Sequence, residues 1–458
     1  MNLKKVSNAP LIATLLLSLA GNASASAIDD LVQTLITKGI LTEAEGALLL
    51  QRRENAPSAI SESVVPQPTA RVEVGKKGLV VKSHDDSYSM AIGGRLHAEL
   101  MSHSNDQDLT KSATDGTDIR RARIYLKGRA NTDWKYAIEA DLAGNKVSMK
   151  DVFLVYTGIA NWDFTVGAQK HALSMEVQES SNDIMFTERG MTVALSTPYF
   201  DRALGINAKR YARNWNIQAG LYGDQFSPES SGDNDEGYGI AARGSWALIN
   251  QKDRVFHIGA SYGLRSTDNN NATNGKSDFK YETTNGSNLK LLDTPSIDGL
   301  DKITINSLEL AAMRGRFSFQ SEFTQASAQR DMAADLDFNA WYLQAGYTLT
   351  GESRSYKGSD GEFKRLKPAT EFSLEKGTWG AWEVAARLDH LDLDDGSATS
   401  GGSGDRYTLA LNWYLNYNVR VMADYSRVYN LDNGPVTRLN GADADNIDTF
   451  TLRTQWAF

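Results

Sequence analysis

From about residue 88 to the C-terminus the sequence alternates with a period of two, and that period decides what the chain can fold into. Ile124, Leu126, Gly128 and Ala130 alternate with Arg123, Tyr125, Lys127 and Arg129. Trp162, Phe164, Val166 and Ala168 alternate with Asp163, Thr165, Gly167 and Gln169. Tyr407, Leu409, Leu411, Trp413, Leu415 and Tyr417 repeat the pattern near the end. Successive side chains of a strand point to opposite faces, so each segment reads as a strand with one apolar and one polar face. Aromatic residues stand at segment ends (Trp162, Trp246, Trp341, Trp413, Tyr417, Trp456), as they do at the two surfaces of a membrane. The apolar faces therefore read as lipid-facing and the polar faces as lumen-facing; a soluble barrel would reverse them.

The connections alternate too. Short turns fall at 131–132, 158–161, 213–214, 250–252, 314–315 and 416–418. Long polar loops fall at 104–118, 171–202, 224–236, 266–302, 327–337, 392–405 and 429–446. Short turns on the periplasmic side and long loops outside are the habit of a transmembrane barrel. One long segment, 350–378, stands where a short turn is due. The segments predict an all-β fold, a transmembrane antiparallel β-barrel of about 16 strands with a short N-terminal helical periplasmic segment. The last strand, 447–458, places Phe450, Leu452, Trp456 and Phe458 on one face. A composition of 41% hydrophobic and 23% charged residues is no obstacle, because only alternate residues of each strand meet lipid.

The N-terminus supplies the address. Lys4 and Lys5 precede the apolar run 11–19, and small residues follow at 23–27, so 1–25 reads as a cleaved signal peptide. Removing those two lysines takes the formal charge from −9 to −11, and so acidic a chain makes nucleic acid an improbable partner. There is no cysteine, hence no disulfide framework. Residues 26–56 read as a helical periplasmic segment, with Leu31, Leu35 and Ile36 on one face; Thr42 and Glu45 form a capping box for a second helix. Residues 57–87 read as a linker and 88–458 as an outer-membrane barrel, multi-pass and Gram-negative in type.

The inward parity carries a basic set. Arg121, Arg123, Lys127 and Arg129 share one face of the second strand without an interleaved acid; Lys209, Arg243, Arg316 and Arg387 take inward parity elsewhere. Rings of Arg and Lys select anions. Inward acids are as numerous (Glu99, Glu139, Asp141, Glu309, Glu322, Glu383, Asp389), and for most of these positions an ordinary wet lumen is sufficient explanation. Loop 171–202, with Met175, Met185, Phe186, Pro198, Tyr199 and Phe200, is apolar enough to fold inside, which makes it the expected constriction. Its charged set is His171, Glu176, Glu179, Asp183, Glu188, Arg189, Asp201 and Arg202; it is acidic on balance and holds no lysine.

Enzyme-like signals are weak. Gly259, Ser261 and Gly263 fit G-x-S-x-G with His257 close by, but within an alternating strand rather than a strand-to-helix turn. The six histidines show no metal-ligand spacing. The acidic outer-loop sets Asp233, Asp235, Glu236 and Asp392, Asp394, Asp395 lack the full EF-hand pattern. No cofactor and no catalytic residue is expected.

Several stretches together resemble the phosphate-selective porin O and P family of Gram-negative outer membranes. They are 120–128 (RRARIYLKG), 167–170, Glu188-Arg189, 198–205, 349–356 (LTGESRSY), Pro368 and 380–387 (GAWEVAAR). The resemblance implies a sixteen-stranded homotrimer with an arginine ladder and a lysine-bearing constriction for phosphate. Arg121 and Arg123 match the ladder. Segment 350–378 matches as well, and its Arg354, Lys357, Lys364, Arg365 and Lys367 suggest a periplasmic basic cluster. The lysine-free constriction departs from the family pattern. The expectation is passive diffusion of small hydrophilic solutes, anions such as phosphate foremost, with outer-membrane lipid and lipopolysaccharide around the barrel. The alternatives are a general porin without phosphate selectivity, a barrel phospholipase and a surface adhesin.

Overall fold

The computed structural model describes residues 25–54, 70–76, 78–223, 237–266, 278–284, 287–331, 333–396 and 399–458. The expected signal peptide up to residue 24 and loop 224–236 lie outside them. The chain divides into two units, Met1–Gln67 and Pro68–Phe458.

In the first unit, helices Ala25–Thr37 and Glu43–Glu54 flank a turn in which Gly39 takes a φ of +69°. The second helix starts where its capping box predicts. The Glu45 carboxylate accepts from the Thr42 N–H at 2.9 Å, and Thr42 Oγ1 accepts from the Glu45 N–H at 3.3 Å.

The second unit opens with β1 (Ala70–Gly75) and β2 (Gly78–Ser83). The wall then runs through β3 (Ser89–Ser104), β4 (Gly116–Arg129), β5 (Trp134–Asp141) and β6 (Ser148–Tyr156). It continues with β7 (Trp162–Lys170), β8 (Arg202–Tyr211), β9 (Trp215–Tyr222), β10 (Tyr238–Gln251) and β11 (Arg254–Ser266). β12 (Lys280–Glu282) and β13 (Lys290–Asp293) pair only with each other, in a loop. β14 (Leu300–Arg314), β15 (Phe317–Arg330) and β16 (Leu336–Thr348) rejoin the wall. β17 (Ser355–Lys357) and β18 (Glu362–Lys364) form a separate hairpin. β19 (Ala381–Asp395), β20 (Thr399–Tyr414), β21 (Val419–Asp432) and β22 (Asn446–Ala457) complete the wall.

Each wall strand pairs antiparallel with its sequence neighbour, and β22 pairs with β3 from Asp448↔Ser104 to Ala457↔Arg95. The result is a closed barrel of sixteen strands in which, among the described residues, every wall strand is paired on both sides. The seam is tight. The Phe458 carbonyl accepts from the Gly94 N–H at 3.0 Å and from the Tyr125 hydroxyl at 2.8 Å. A Cβ on Gly93 would lie 2.4 Å from that carbonyl, so glycine is required there. Below the seam β2 pairs with β3 (Leu79↔Ile92, Val80↔Ala91). This corrects the expected linker 57–87: its second half is a hairpin that lengthens the wall past the C-terminus.

Lipid-facing positions follow the predicted parity: Ile124, Val166, Ile217, Leu308 and Leu409 are all exposed on the outer surface. Toward the outer end the phase reverses. On β14 the inward residues are Ile303 and Ile305, fully buried, whereas lower on the same strand they are Ser307 and Glu309. Strands of 13–16 residues exceed the roughly 9–11 needed to cross a bilayer, and the excess projects outward. Inside that projecting rim lies an apolar core. It joins Leu173, Leu195, Tyr199 and Phe200 of the 171–202 loop to Phe279, Leu291 and Leu292 of the loop after β11, and both to Phe338 and Leu391 of the wall.

Candidate functional site

Loop 171–202 folds into the lumen, and carboxylates of the wall hold it there. The Glu322 side chain accepts from the Glu176 N–H at 2.6 Å, Asp424 from the Thr187 N–H at 2.6 Å, and Asp389 from the Met191 N–H at 2.9 Å. All three carboxylates are buried. Many inward acids thus serve as anchors for loop backbone or as partners of arginines, and do not face open water.

The loop's own acids are consumed in the same way. Glu188 receives Arg120 at 2.8 Å and Arg453 at 3.5 Å. Burial works against its charge, yet Arg120, Arg121 and Arg453 hold its carboxyl well below the usual carboxylate range. Glu179 meets Arg354 at 3.0 Å, and Glu176 accepts from the Gly190 N–H at 2.9 Å. Arg189 donates to the backbone carbonyls of Glu176 and Glu179. Asp183 offers its carbonyl to Arg354, and His171 is buried beside Arg265, 2.9 Å away. Arg202 bridges Asp151 at 2.7 Å and Asp201 at 3.0 Å. The acidic balance of the loop is therefore largely neutralised by arginines.

The predicted basic ladder divides. Arg121 and Arg123 face a cavity of about 790 Å³ bounded by β3, β4, β6, β7 and β8, the folded loop, residues 278–284, Glu362 and Arg406. Arg123 is paired with Glu139 at 2.8 Å and Asp141 at 2.7 Å. Arg121 is 9% exposed, and among the described residues it makes no hydrogen bond or ion pair; its Nη1 is buried without a partner. Lys127 lies 3.9 Å over the Tyr125 ring, and Arg129 bonds the Thr132 carbonyl at the periplasmic end of β4. Four expected members are not ladder residues. Arg243 makes a buried double contact with Glu309 (2.7 Å twice) and holds the carbonyls of Asp360 and Gly361. Lys209 pairs with Asp360 at 2.9 Å, and Arg387 with Asp389 at 3.0 Å. Arg316 sits exposed in the turn after β14, outside the wall.

The periplasmic basic cluster also separates. The β17–β18 hairpin rises inside the barrel, so Arg354 is buried against Glu179, Lys357 and Lys364 surround Asp360, and Lys364 also bonds Glu362. Burial opposes the Asp360 charge, but Lys209 and Lys357 hold its carboxyl well below the ordinary range. Arg365 and Lys367 instead lie over Tyr417, 4.6 and 5.9 Å from its ring centre.

Sequence parity missed much of the cavity's charge. Arg120 has outward parity, but the pairing steps from His97↔Arg121 to Ala98↔Ile119, and the bulge frees Arg120 to reach Glu188 inside. A second bulge sets Lys150 and Asp151 against Glu139, between Ile138↔Val152 and Ala140↔Met149. Lys150 lines the cavity with no hydrogen bond or ion pair among the described residues. Lys170, one residue before the loop, also lines it and donates to the carbonyls of Val177, Gln178 and Glu179. In all, ten basic side chains and six carboxylates line this cavity, and among the described residues Arg121, Lys150, Lys170 and Arg189 have no carboxylate paired to them.

The hydrolase-like motif dissolves on inspection. Ser261 accepts from the Ser174 N–H at 3.0 Å. His257 contacts Glu309 and Tyr356, four residues along β11 from Ser261, about 13 Å by strand rise. Among the described residues no cluster of metal-ligating side chains occurs.

Comparison with known proteins agrees with this geometry. The family model for phosphate-selective porin O and P matches residues 90–458. Porin O of Pseudomonas aeruginosa is 28% identical over 415 residues, covering 84% of this chain and 91% of that protein. Among solved structures, a loop-deletion mutant of OmpT from Vibrio cholerae superposes with a TM-score of 0.51 at 12% identity, covering 81% of this chain and 100% of that one. An anion-selective porin from Comamonas acidovorans gives 0.50 at 14% identity, again over 81% and 100%. At these identities the two structures share the fold.

Proposed function

The chain belongs to the phosphate-selective porin O and P family, and from that premise we propose that it passes small anions, phosphate among them, by passive diffusion along the basic wall of β3–β8. It is an outer-membrane porin, a channel rather than an enzyme. The single observation that carries the anion reading is Arg121: a buried guanidinium that faces the cavity and, like neighbouring Lys150, has no carboxylate bonded to it among the described residues.

The chemistry is hydration replacement. An anion entering the cavity exchanges water for guanidinium and ammonium donors already in place, and a wet lumen keeps each contact weak enough to release it. Arg121 and Lys150, which have no carboxylate bonded to them among the described residues, favour entry of negative charge and disfavour cations. The acids that might cancel them accept loop N–H groups or pair with other arginines. No cofactor or covalent step is part of this reading; the working assembly is read as a homotrimer surrounded by outer-membrane lipid and lipopolysaccharide.

Reversal potentials across a planar bilayer in a potassium chloride gradient test it. Chloride preference is expected, and a clear potassium preference would overturn the anion reading. Reduction of chloride current by added phosphate then measures whether phosphate enters the same path.

A further inference from the structure

We propose that the lipid-facing rim at the periplasmic ends of β9–β11 and β14 holds an anionic glycerophospholipid. Its phosphate sits on Arg254 and Arg314, and its acyl chains cover the apolar wall beside them. The site lies outside the lumen and is independent of the anion path.

The first observation is an excess of charge. Residues 210–214, 252–254 and 314–316, at the short-turn end of the barrel, hold Arg210, Arg213, Lys252, Arg254, Arg314 and Arg316 against one acid, Asp253. All six are exposed, and none has an ion pair among the described residues. Arg213 donates to the Asn250 carbonyl at 3.3 Å, and Arg210 lies 5.5 Å over the Trp162 ring. Turns 157–161 and 416–418, at the same end, carry no charge, so the excess belongs to this arc of the rim. The second observation is where two of these charges stand. In the β11–β14 register Arg254 is directly opposite Arg314, in line with Phe256↔Ala312 and Ile258↔Leu310 on the lipid side. Like charges facing each other across a ladder are destabilising. An anion set between them relieves a repulsion built into the register.

The third is the surface that continues from them along the wall. The pairing of β10 with β11 shifts between Ala247 and Ile249, and that bulge leaves Leu248 exposed along with Trp246. Trp246 pairs in register with Trp215. A shallow cavity of about 640 Å³ runs past both, past Leu248 and on to Arg213 and Gln251. Gln251 in turn is the register partner of Arg254. One surface thus joins indole and aliphatic area, at the depth where tryptophans meet the headgroup layer, to guanidinium groups at its edge. A soluble anion leaves the apolar half uncovered, and a neutral lipid leaves the arginines unanswered. A phosphate carrying two acyl chains meets both, as anionic headgroups do in basic pockets at a membrane face.

The test is native mass spectrometry of the full-length protein from micelles holding equal amounts of phosphatidylglycerol and phosphatidylethanolamine with identical acyl chains. Phosphatidylglycerol adducts should exceed phosphatidylethanolamine adducts by at least about five-fold. In an Arg254→Gln/Arg314→Gln variant the ratio should fall to near one, while an Arg121→Gln variant keeps it. Equal retention of the two lipids by the wild type overturns the proposal. A preference that survives the rim variant overturns it too; its loss with Arg121 would place the headgroup in the lumen. Glycerol phosphate added in excess should not displace the adduct, and full displacement would overturn the lipid assignment. If neither lipid is retained and the rim variant changes the oligomeric state, this face meets a second copy and the proposal falls. The wild-type ratio decides the matter even if the variant fails to assemble.

Discussion

The Arg354 guanidinium lies 3.0 Å from the Glu179 carboxylate, and the two residues reach that point from opposite ends of the barrel. Glu179 descends with the external loop 171–202, and Arg354 rises with the periplasmic segment that carries the β17–β18 hairpin. Both side chains are buried, and Arg354 also takes the Asp183 carbonyl at 2.9 Å. One ion pair thus ties the constriction to the floor beneath it. Replacing Arg354 by Met leaves the buried Glu179 carboxyl without its partner, at a cost of about 1–3 kcal/mol. The expected result is a lower unfolding temperature, together with larger and noisier single-channel currents as the loop loosens. Adding Glu179→Gln should restore much of both.

Arg121 and Arg243 look alike in sequence, each a basic residue of inward parity, yet they should fail differently when changed. Arg121→Gln removes an unpaired charge from the cavity, so chloride-over-potassium selectivity should fall several-fold with little change in stability. Arg243→Gln strands the buried Glu309 and frees the hairpin carbonyls, so stability should fall by about 3–5 kcal/mol. Reversal potentials and thermal unfolding of the two variants, measured side by side, check the distinction. A selectivity loss confined to Arg243→Gln would reverse these assignments.

The pH dependence should centre on Glu179. Burial lifts its carboxyl to about 7 from an ordinary 4.5, with Arg354 pulling it partway back. A carboxyl raised by folding is still protonated in the folded chain where an unfolded one has ionised. Ionising it therefore removes stability as pH rises from about 4.5 through about 7. In the channel, acidification from pH 8 to 6 neutralises the Glu179 charge in the lumen. Anion-over-cation permeability should rise across that interval, more at low ionic strength, where screening is weak. Glu179→Gln should shrink the step, and a step of unchanged size in that variant would assign it to another group.

Much of this architecture was legible because a lipid-facing strand must alternate. The sixteen strands, the C-terminal closure, the folded loop and the Thr42–Glu45 capping box all follow from local pattern. Other features have no local signature. On β14, Ile303 and Ile305 keep the same period as Leu308 and Leu310 but face inward, because the projecting rim encloses loops where the lower wall encloses water. Arg120 enters the lumen only because a bulge against His97 and Ala98 adds a residue to β4. Whether an inward carboxylate opposes anions or anchors a backbone N–H, as Asp389 does for Met191, depends on a contact 198 residues away in sequence. That is why the ladder read from parity included Arg243 and Arg387 and omitted Lys150.

Glu188 offers the sharpest lever on the path itself. It lines the cavity, and Arg120 and Arg453 hold it ionised well below neutral pH, so ordinary changes of pH do not neutralise it. Glu188→Gln performs that neutralisation while keeping the shape. Arg120, at 2.8 Å from the carboxylate in the native protein, then becomes available to a passing anion. Removing one opposing charge near the solute changes its energy by on the order of 1 kcal/mol in a wet lumen. Half-block by phosphate should consequently fall several-fold in concentration, while chloride current slows because departure becomes harder. Tighter block with unchanged chloride conductance would place the anion's resting point away from Arg120. Unchanged block would mean that Arg120 and Arg121 do not touch the solute, and would move the path to another wall.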